Sequence, residues 1–136
     1  MTIDVNLGRI GADAGTTVIV GLFEDDQLEE GTPPVLDASL RRYLREILAL
    51  GDFKGKKHQM VVLYPHGAAP PQRALLIGLG DRDLFSLETA RRAAGRAASQ
   101  AFRLGTTELT TAVHGLDLHG FSPEACAQAT VEGILL

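Results

Sequence analysis

The sequence has no tryptophan, only two tyrosines and two methionines, and a single cysteine. One cysteine excludes an intramolecular disulfide, so the fold must hold without covalent staples, and it points to a reducing compartment. That residue, Cys126, sits among Ala125, Ala127 and Ala129. Such neighbours suit a packed thiol, not a nucleophile, which needs a helix N-terminus or a nearby cation to lower its pKa. No apolar run approaches the ~20 residues of a membrane-spanning helix. The opening MTIDVNLGRIG lacks the basic-then-apolar pattern of a secretion signal, so a cytoplasmic location is the expectation. Basic charge is not in excess either. Thirteen Lys and Arg against seventeen Asp and Glu leave a net charge of −4, which disfavours binding to a phosphate backbone. Internal repeats and low-complexity stretches are also lacking.

What is present describes one globular domain. The 136 residues are 45% hydrophobic and 22% charged, ordinary values for a chain that buries a cooperative core. The patterning reads β-β-α-β-β-α-β-α. Thr2–Leu7 and the β-branched run Thr16–Phe23 suit strands. The acidic stretch from Glu24 to Pro34, with Asp25, Asp26, Glu29 and Glu30, suits an exposed connection. Calcium-loop ligand spacing is lacking there. From Leu36 the period becomes helical. Leu36, Leu40, Tyr43, Leu44, Ile47 and Leu48 share a stripe, and Gly51 stands where a left-handed residue ends the helix. Gln59–Tyr64 and Arg73–Leu79 read as strands apolar enough to be covered on both faces, joined by a proline-containing turn, HGAAPPQ.

Ser86 is placed to cap the next helix, with Glu88 in its first turn. Leu87, Ala90, Ala94, Ala97, Ala98, Ala101 and Phe102 line one side of that helix, which ends near Gly105. The alanines predict close approach to a sheet, a contact that Gly95 would share. Glu108–Val113 is a fifth strand, and Ser122, Pro123 and Glu124 open a last helix. Its end, Ile134, Leu135 and Leu136, is apolar and lacks a stop signal. The expectation is that the helix continues into a further part of a parent protein; the other reading is a terminal helix docked on its own domain.

Familiar catalytic motifs do not emerge. Gly78-Leu79-Gly80 follows a strand, but a third glycine is missing, since Asp83 stands in its place. A strand-ending turn explains these glycines. Gly51-Asp52-Phe53-Lys54-Gly55-Lys56-Lys57 shares glycines and lysines with a phosphate-binding loop. Its glycines are spaced too closely, no Ser or Thr follows the lysine, and a helix precedes it, so it reads as a basic turn. His58, His66, His114 and His119 show no HExxH or cysteine-containing zinc spacing. The nearest approach to a metal cluster is the loop with His114, Asp117 and His119, and loop histidines are common. Ser39, Ser86, Ser99 and Ser122 lack the GxSxG elbow and look helical or capping. Arg41, Arg42, Arg45, Arg91, Arg92 and Arg96 read as solvated helix faces. Catalytic, cofactor-binding and metal-ligating residues are therefore expected to be absent from this chain.

Taken together and in order, four segments are more telling. Gly51-Asp52-Phe53-Lys54-Gly55-Lys56, after an amphipathic helix, is similar to the GDFxGK segment of the leucine aminopeptidase (cytosol aminopeptidase) family. Leu75-Leu76-Ile77-Gly78-Leu79-Gly80 resembles its LLVGLG strand, followed by a turn with Leu84, Ser86, Leu87 and Glu88. Arg91-Arg92-Ala93-Ala94-Gly95 matches its RRAAG helix, and Ala127-Gln128-Ala129-Thr130-Val131-Glu132-Gly133 its AQAxVEG segment. The likeness covers Leu36–Leu136 and is only general before that.

The resemblance implies that residues 1–136 form the N-terminal domain of a leucyl aminopeptidase, a macro-like α/β fold with three α/β/α layers and a mixed sheet. Residues 122–136 would then start a connector helix into a C-terminal catalytic domain. That domain would carry two divalent metal ions, Mn or Zn, held by lysine, aspartate and glutamate, together with a bicarbonate-binding arginine segment. The NTDAEGRL and GKGxTFDxGG signatures of that domain are absent here, so no catalytic residue is carried over. The resemblance also implies a cytosolic hexamer acting on peptides, with the N-terminal domain contributing to assembly and active-site access. Two other readings stand beside it: a free-standing macro-like module for a nucleotide or ADP-ribose, and a nucleic-acid-binding or adaptor domain.

Overall fold

The computed structural model describes residues 2–6, 17–25, 38–64, 73–106, 108–115 and 118–135. Five strands, β1 (Thr2–Asn6), β2 (Thr17–Phe23), β3 (Met60–Leu63), β4 (Arg73–Gly80) and β5 (Glu108–Ala112), form one sheet in the order β1-β5-β2-β4-β3. The first four in that order run parallel, and β3 is antiparallel to β4. Three helices accompany them: α1 (Ala38–Leu50), α2 (Leu87–Arg103) and α3 (Pro123–Leu135), with a short 3-10 turn at Arg82–Leu84.

Parallel strands need both faces covered, and their side chains divide accordingly. Val18, Val20, Leu22, Ala74 and Leu76 turn to one face, where they pack with Leu44 of α1, Phe53 and Leu63. Ile19, Leu75, Ile77 and Leu109 turn to the other, under the alanines of α2 and under Ala129 and Ile134 of α3. This is the three-layer α/β/α architecture with a mixed sheet that the family resemblance implies. β4 is buried from Ala74 to Gly80, whereas β3 lies at the edge of the sheet, with Met60 exposed and Val61 and Val62 half-buried. The expected cover of β3 on both faces is therefore partial, with Val62 packed on the α2 side and Val61 and Leu63 on the α1 side. An apolar run has the same composition at an edge as at the centre.

Local signals account for the helix boundaries. Gly51 follows α1 at φ 79°, with its N–H on the Leu48 carbonyl. At α2 the Ser86 hydroxyl accepts the Thr89 N–H at 3.2 Å, and the Thr89 hydroxyl accepts the Ser86 N–H at 3.3 Å. Glu88 is left to face outward, bonded to Arg91 and Arg92. Ser122 caps α3 by accepting the Ala125 N–H at 3.1 Å. Leu36, the Pro65–Gln72 turn and the acidic stretch beyond Asp25 lie outside the described residues.

Two expectations about α2 change. Phe102 is 40% exposed and not on the buried side, because the face against the sheet is centred on Ala90, Ala94, Ala97 and Ala101. Position 102 sits about 100° further round the helix. Gly95 serves a helix and not the sheet, since a β-carbon on it would lie 3.0 Å from the Gly133 carbonyl oxygen of α3. Gly133 is tighter still: its β-carbon would fall 2.0 Å from the Arg91 carbonyl oxygen. The two glycines let the helix backbones meet. Of the apolar tail, Ile134 is buried and Leu135 is 70% exposed, while Leu136 lies outside the described residues.

Candidate interaction surface around α2

The outer side of the α2–α3 pair carries an open groove of about 590 Å³. It is lined by the small residues Gly95, Ala98 and Gly133, with Ile134 and Phe102. Arg91, Arg92 and Arg96 line it, Arg92 and Arg96 exposed at a four-residue spacing and Arg91 half-buried. Arg91 bridges the helices, reaching Glu132 of α3 at 3.1 Å and Glu88 of its own helix. Those carboxylates, Glu132 first, hold the Arg91 guanidinium more firmly protonated, while the Arg92 and Arg91 hydrogen bonds keep Glu88 below the usual carboxylate range. Arg96 has no carboxylate partner among the described residues.

The loop Gly51–Gln59 is clamped to the end of β4. Gly80 donates its N–H to the Gly55 carbonyl at 2.9 Å, His58 donates to the Gly78 carbonyl at 3.0 Å, and Gly78 donates to the Gln59 carbonyl at 2.7 Å. The Gln59 side chain ties the loop to itself, accepting from Lys54 N–H and donating to the Asp52 carbonyl. Gly78 is where the loop comes closest, since a β-carbon there would sit 1.8 Å from the Lys56 carbonyl oxygen. The Gly78-Leu79-Gly80 segment therefore does what a strand-ending turn requires, with Gly80 at φ 81°, and its polar groups face a protein loop instead of a phosphate. Lys54, Lys56 and Lys57 are exposed, while His58 takes a left-handed φ of 67° with its Nε2 buried. Burial, then Arg96, Lys57 and Arg92, push the His58 imidazole below the ordinary histidine value.

The remaining residues singled out by sequence are scattered. His114 is buried at the end of β5, 2% exposed, with its pKa lowered to about 4 by desolvation. His119 is exposed, and its Nε2 lies 2.9 Å from the Arg82 carbonyl oxygen. Asp117 and His66 lie outside the described residues. Cys126 is buried on α3, its thiol 3.5 Å from the Gly115 carbonyl oxygen. Asp25 pairs with Arg82, whose guanidinium also covers the Phe23 ring. Among the described residues, no three His, Cys, Asp or Glu side chains are grouped to hold a metal ion. No helix among them is long and apolar enough to cross a membrane. Sequence reasoning missed the Gly95–Gly133 meeting and the backbone clamp that holds the lysine loop to β4.

Residues 19–136 match the model of the cytosol aminopeptidase family, N-terminal domain. A probable cytosol aminopeptidase of Roseiflexus castenholzii is 33% identical over 136 residues, all of this chain and 25% of that protein. One of Nostoc punctiforme is 33% identical over 123 residues, 90% of this chain and 24% of that protein. Among solved structures, a mutant of tomato leucine aminopeptidase is similar at a TM-score of 0.74 and 25% identity, covering 99% of this chain and 27% of that one. The chain thus spans about a quarter of the length of the curated relatives it matches.

Proposed function

Because the chain belongs to the cytosol aminopeptidase family, over the segment that forms the N-terminal domain there, we propose that residues 1–136 are the assembly and access domain of a metal-dependent leucyl aminopeptidase. The observation that carries this reading is the match of residues 19–136 to that domain, in a chain a quarter as long as its relatives. In the parent, the catalytic domain, the two divalent ions (Mn or Zn) and the peptide-cleaving site would belong to the remaining three quarters. The described residues of this chain do not fit a metal centre, and no step of the reaction is assigned to them.

What these residues offer is surface. The α2–α3 groove is lined by small and apolar side chains and by arginines, the composition of a protein contact with an apolar centre and a polar edge. Residues 122–136 would lead from it into the catalytic domain, and the parent would assemble as a cytosolic hexamer around such contacts. Metal ions supply a low-pKa water and a polarised carbonyl in hydrolases of this kind; this domain would hold the assembly in which that chemistry takes place.

The test joins this chain to a relative's catalytic region. The joined protein with manganese or zinc should release leucine from leucine anilides, and the 136-residue chain alone should not. Phe102→Asp in the groove should lower the assembly mass seen by light scattering. Metal-dependent turnover by the chain alone would overturn the reading.

A further inference from the structure

Helices α2 and α3 run in the same direction. Each follows a strand parallel to β2, and both pack on the same face of the sheet. Phe85 and Phe121, each two residues before its helix, hold the two starts together with ring centroids 6.3 Å apart. Further along, the backbones meet where Gly133 faces Arg91, Ala94 and Gly95. From Gly95, α2 continues to Arg103, about 12 Å at 1.5 Å per residue, while α3 is described to Leu135, about 3 Å past Gly133. Arg91, Gly95, Ala98 and Phe102 recur at spacings of four, three and four, so they share one stripe of α2. The stripe touches α3 at its start, Arg91 reaching Glu132 and Gly95 meeting Gly133. Phe102 therefore stands on the side of α2 that a longer α3 would occupy, yet it is 40% exposed. The groove of about 590 Å³ lies at this step, its lining including Gly95, Ala98, Ser99 and Phe102 of α2 and Gly133 and Ile134 of α3.

We propose that the segment of the parent chain following Leu136 continues as helix alongside α2 for about two turns and fills this groove, laying apolar side chains on Ala98 and Phe102. This rests on the reading of residues 1–136 as the leading part of a longer protein, whose relatives are about four times the length of this chain. The length fits: α2 outruns α3 by about 12 minus about 3 Å, or about 9 Å, and two helical turns add about 11 Å. The direction fits too. Because α3 is aimed along the groove, its continuation arrives already placed, without the loss of free motion that a separate partner undergoes. The cover is then made within one chain. Phe102→Asp would lower assembly by loosening the segment that leads to the catalytic domain, and not by breaking a contact between subunits.

The chain holds no tryptophan, so Phe102→Trp supplies a single reporter, and Ser99→Cys adds an exposed thiol where Cys126 is buried. Each is made in two proteins extended after Leu136 by about twelve residues, enough for three turns. One extension is the segment that follows the matched stretch in the Roseiflexus castenholzii protein; the other is a Gly-Ser tail of equal length. The relative's segment should move the tryptophan emission to the blue, slow maleimide labelling of Ser99→Cys by about tenfold and raise the urea midpoint. The Gly-Ser tail should do none of these. Amide hydrogen exchange at residues 99–103 of the unsubstituted proteins reads the same contrast, so a misfolded variant cannot decide the question. Equal emission, labelling and exchange with the two tails would overturn the proposal. So would a groove already covered in the Gly-Ser protein within a particle of twice the mass, since a second copy would then be the occupant. The protein joined to a relative's catalytic region separates this inference from the domain reading. Leucine release with exchange at 99–103 unslowed sinks the groove inference alone, whereas slowed exchange without leucine release supports it and counts against the aminopeptidase reading.

Discussion

At the scale of single residues, His114 carries the clearest consequence. Its side chain packs over Gly21, where a β-carbon would fall 2.7 Å from Nδ1, and its backbone N–H reaches the Thr130 hydroxyl at 3.4 Å. Burial, with Nε2 unpaired, lowers its pKa from 6.5 to about 4. The unfolded chain therefore takes up the proton first as pH falls. Stability from this group is complete above the unfolded value and is lost as pH drops toward the folded one. Urea unfolding should show a loss of about 2 kcal/mol between about pH 7 and about pH 5. In His114→Gln that part of the slope should disappear. An unchanged slope would mean that other groups set the acid sensitivity.

At the scale of elements, the meeting of α2 and α3 is the sharpest. Alanine is the better helix former by roughly 1 kcal/mol, so Gly133→Ala would stabilise an isolated helix. Here its methyl would lie 2.0 Å from the Arg91 carbonyl oxygen, backbone that cannot turn aside. The helices must separate, and a net loss of roughly 3 kcal/mol is expected in urea unfolding. Gly95→Ala, 3.0 Å from the Gly133 oxygen, should cost less. A Gly133→Ala protein as stable as the parent would show the crossing to be loose.

The same contact marks where reading from sequence stops. Periodicity and caps located every strand and helix of the described residues, because Ser86, Ser122, Gly51 and the alternating apolar runs act within a few residues. Gly95 was legible as a close-contact residue, but its partner on α3 was not, since no local pattern links two helices so far apart in the chain. The edge position of β3 was hidden for a like reason, because the strand order does not follow the chain. The candidate surface was half-visible. Its lysines read as a basic turn, while the fixing of that turn depends on the clamp at Gly78 and Gly80.

At the scale of the whole molecule, the sheet is woven from both ends of the chain. β5 lies between β1 and β2, and β2 lies between β5 and β4. An endoproteinase that cuts after lysine finds its only targets at Lys54, Lys56 and Lys57. A nick after Lys57 leaves one piece with β1, β2 and α1, and another with β3, β4, α2, β5 and α3. The first piece owns no two neighbouring strands, so it has no ladder of its own to keep. The cut protein should therefore migrate as one particle under native conditions, and the shorter piece, isolated, should show no cooperative melting. Autonomous folding of that piece would contradict the interleaving. The domain is in this sense a complex of its own halves, joined by one loop that a protease can remove.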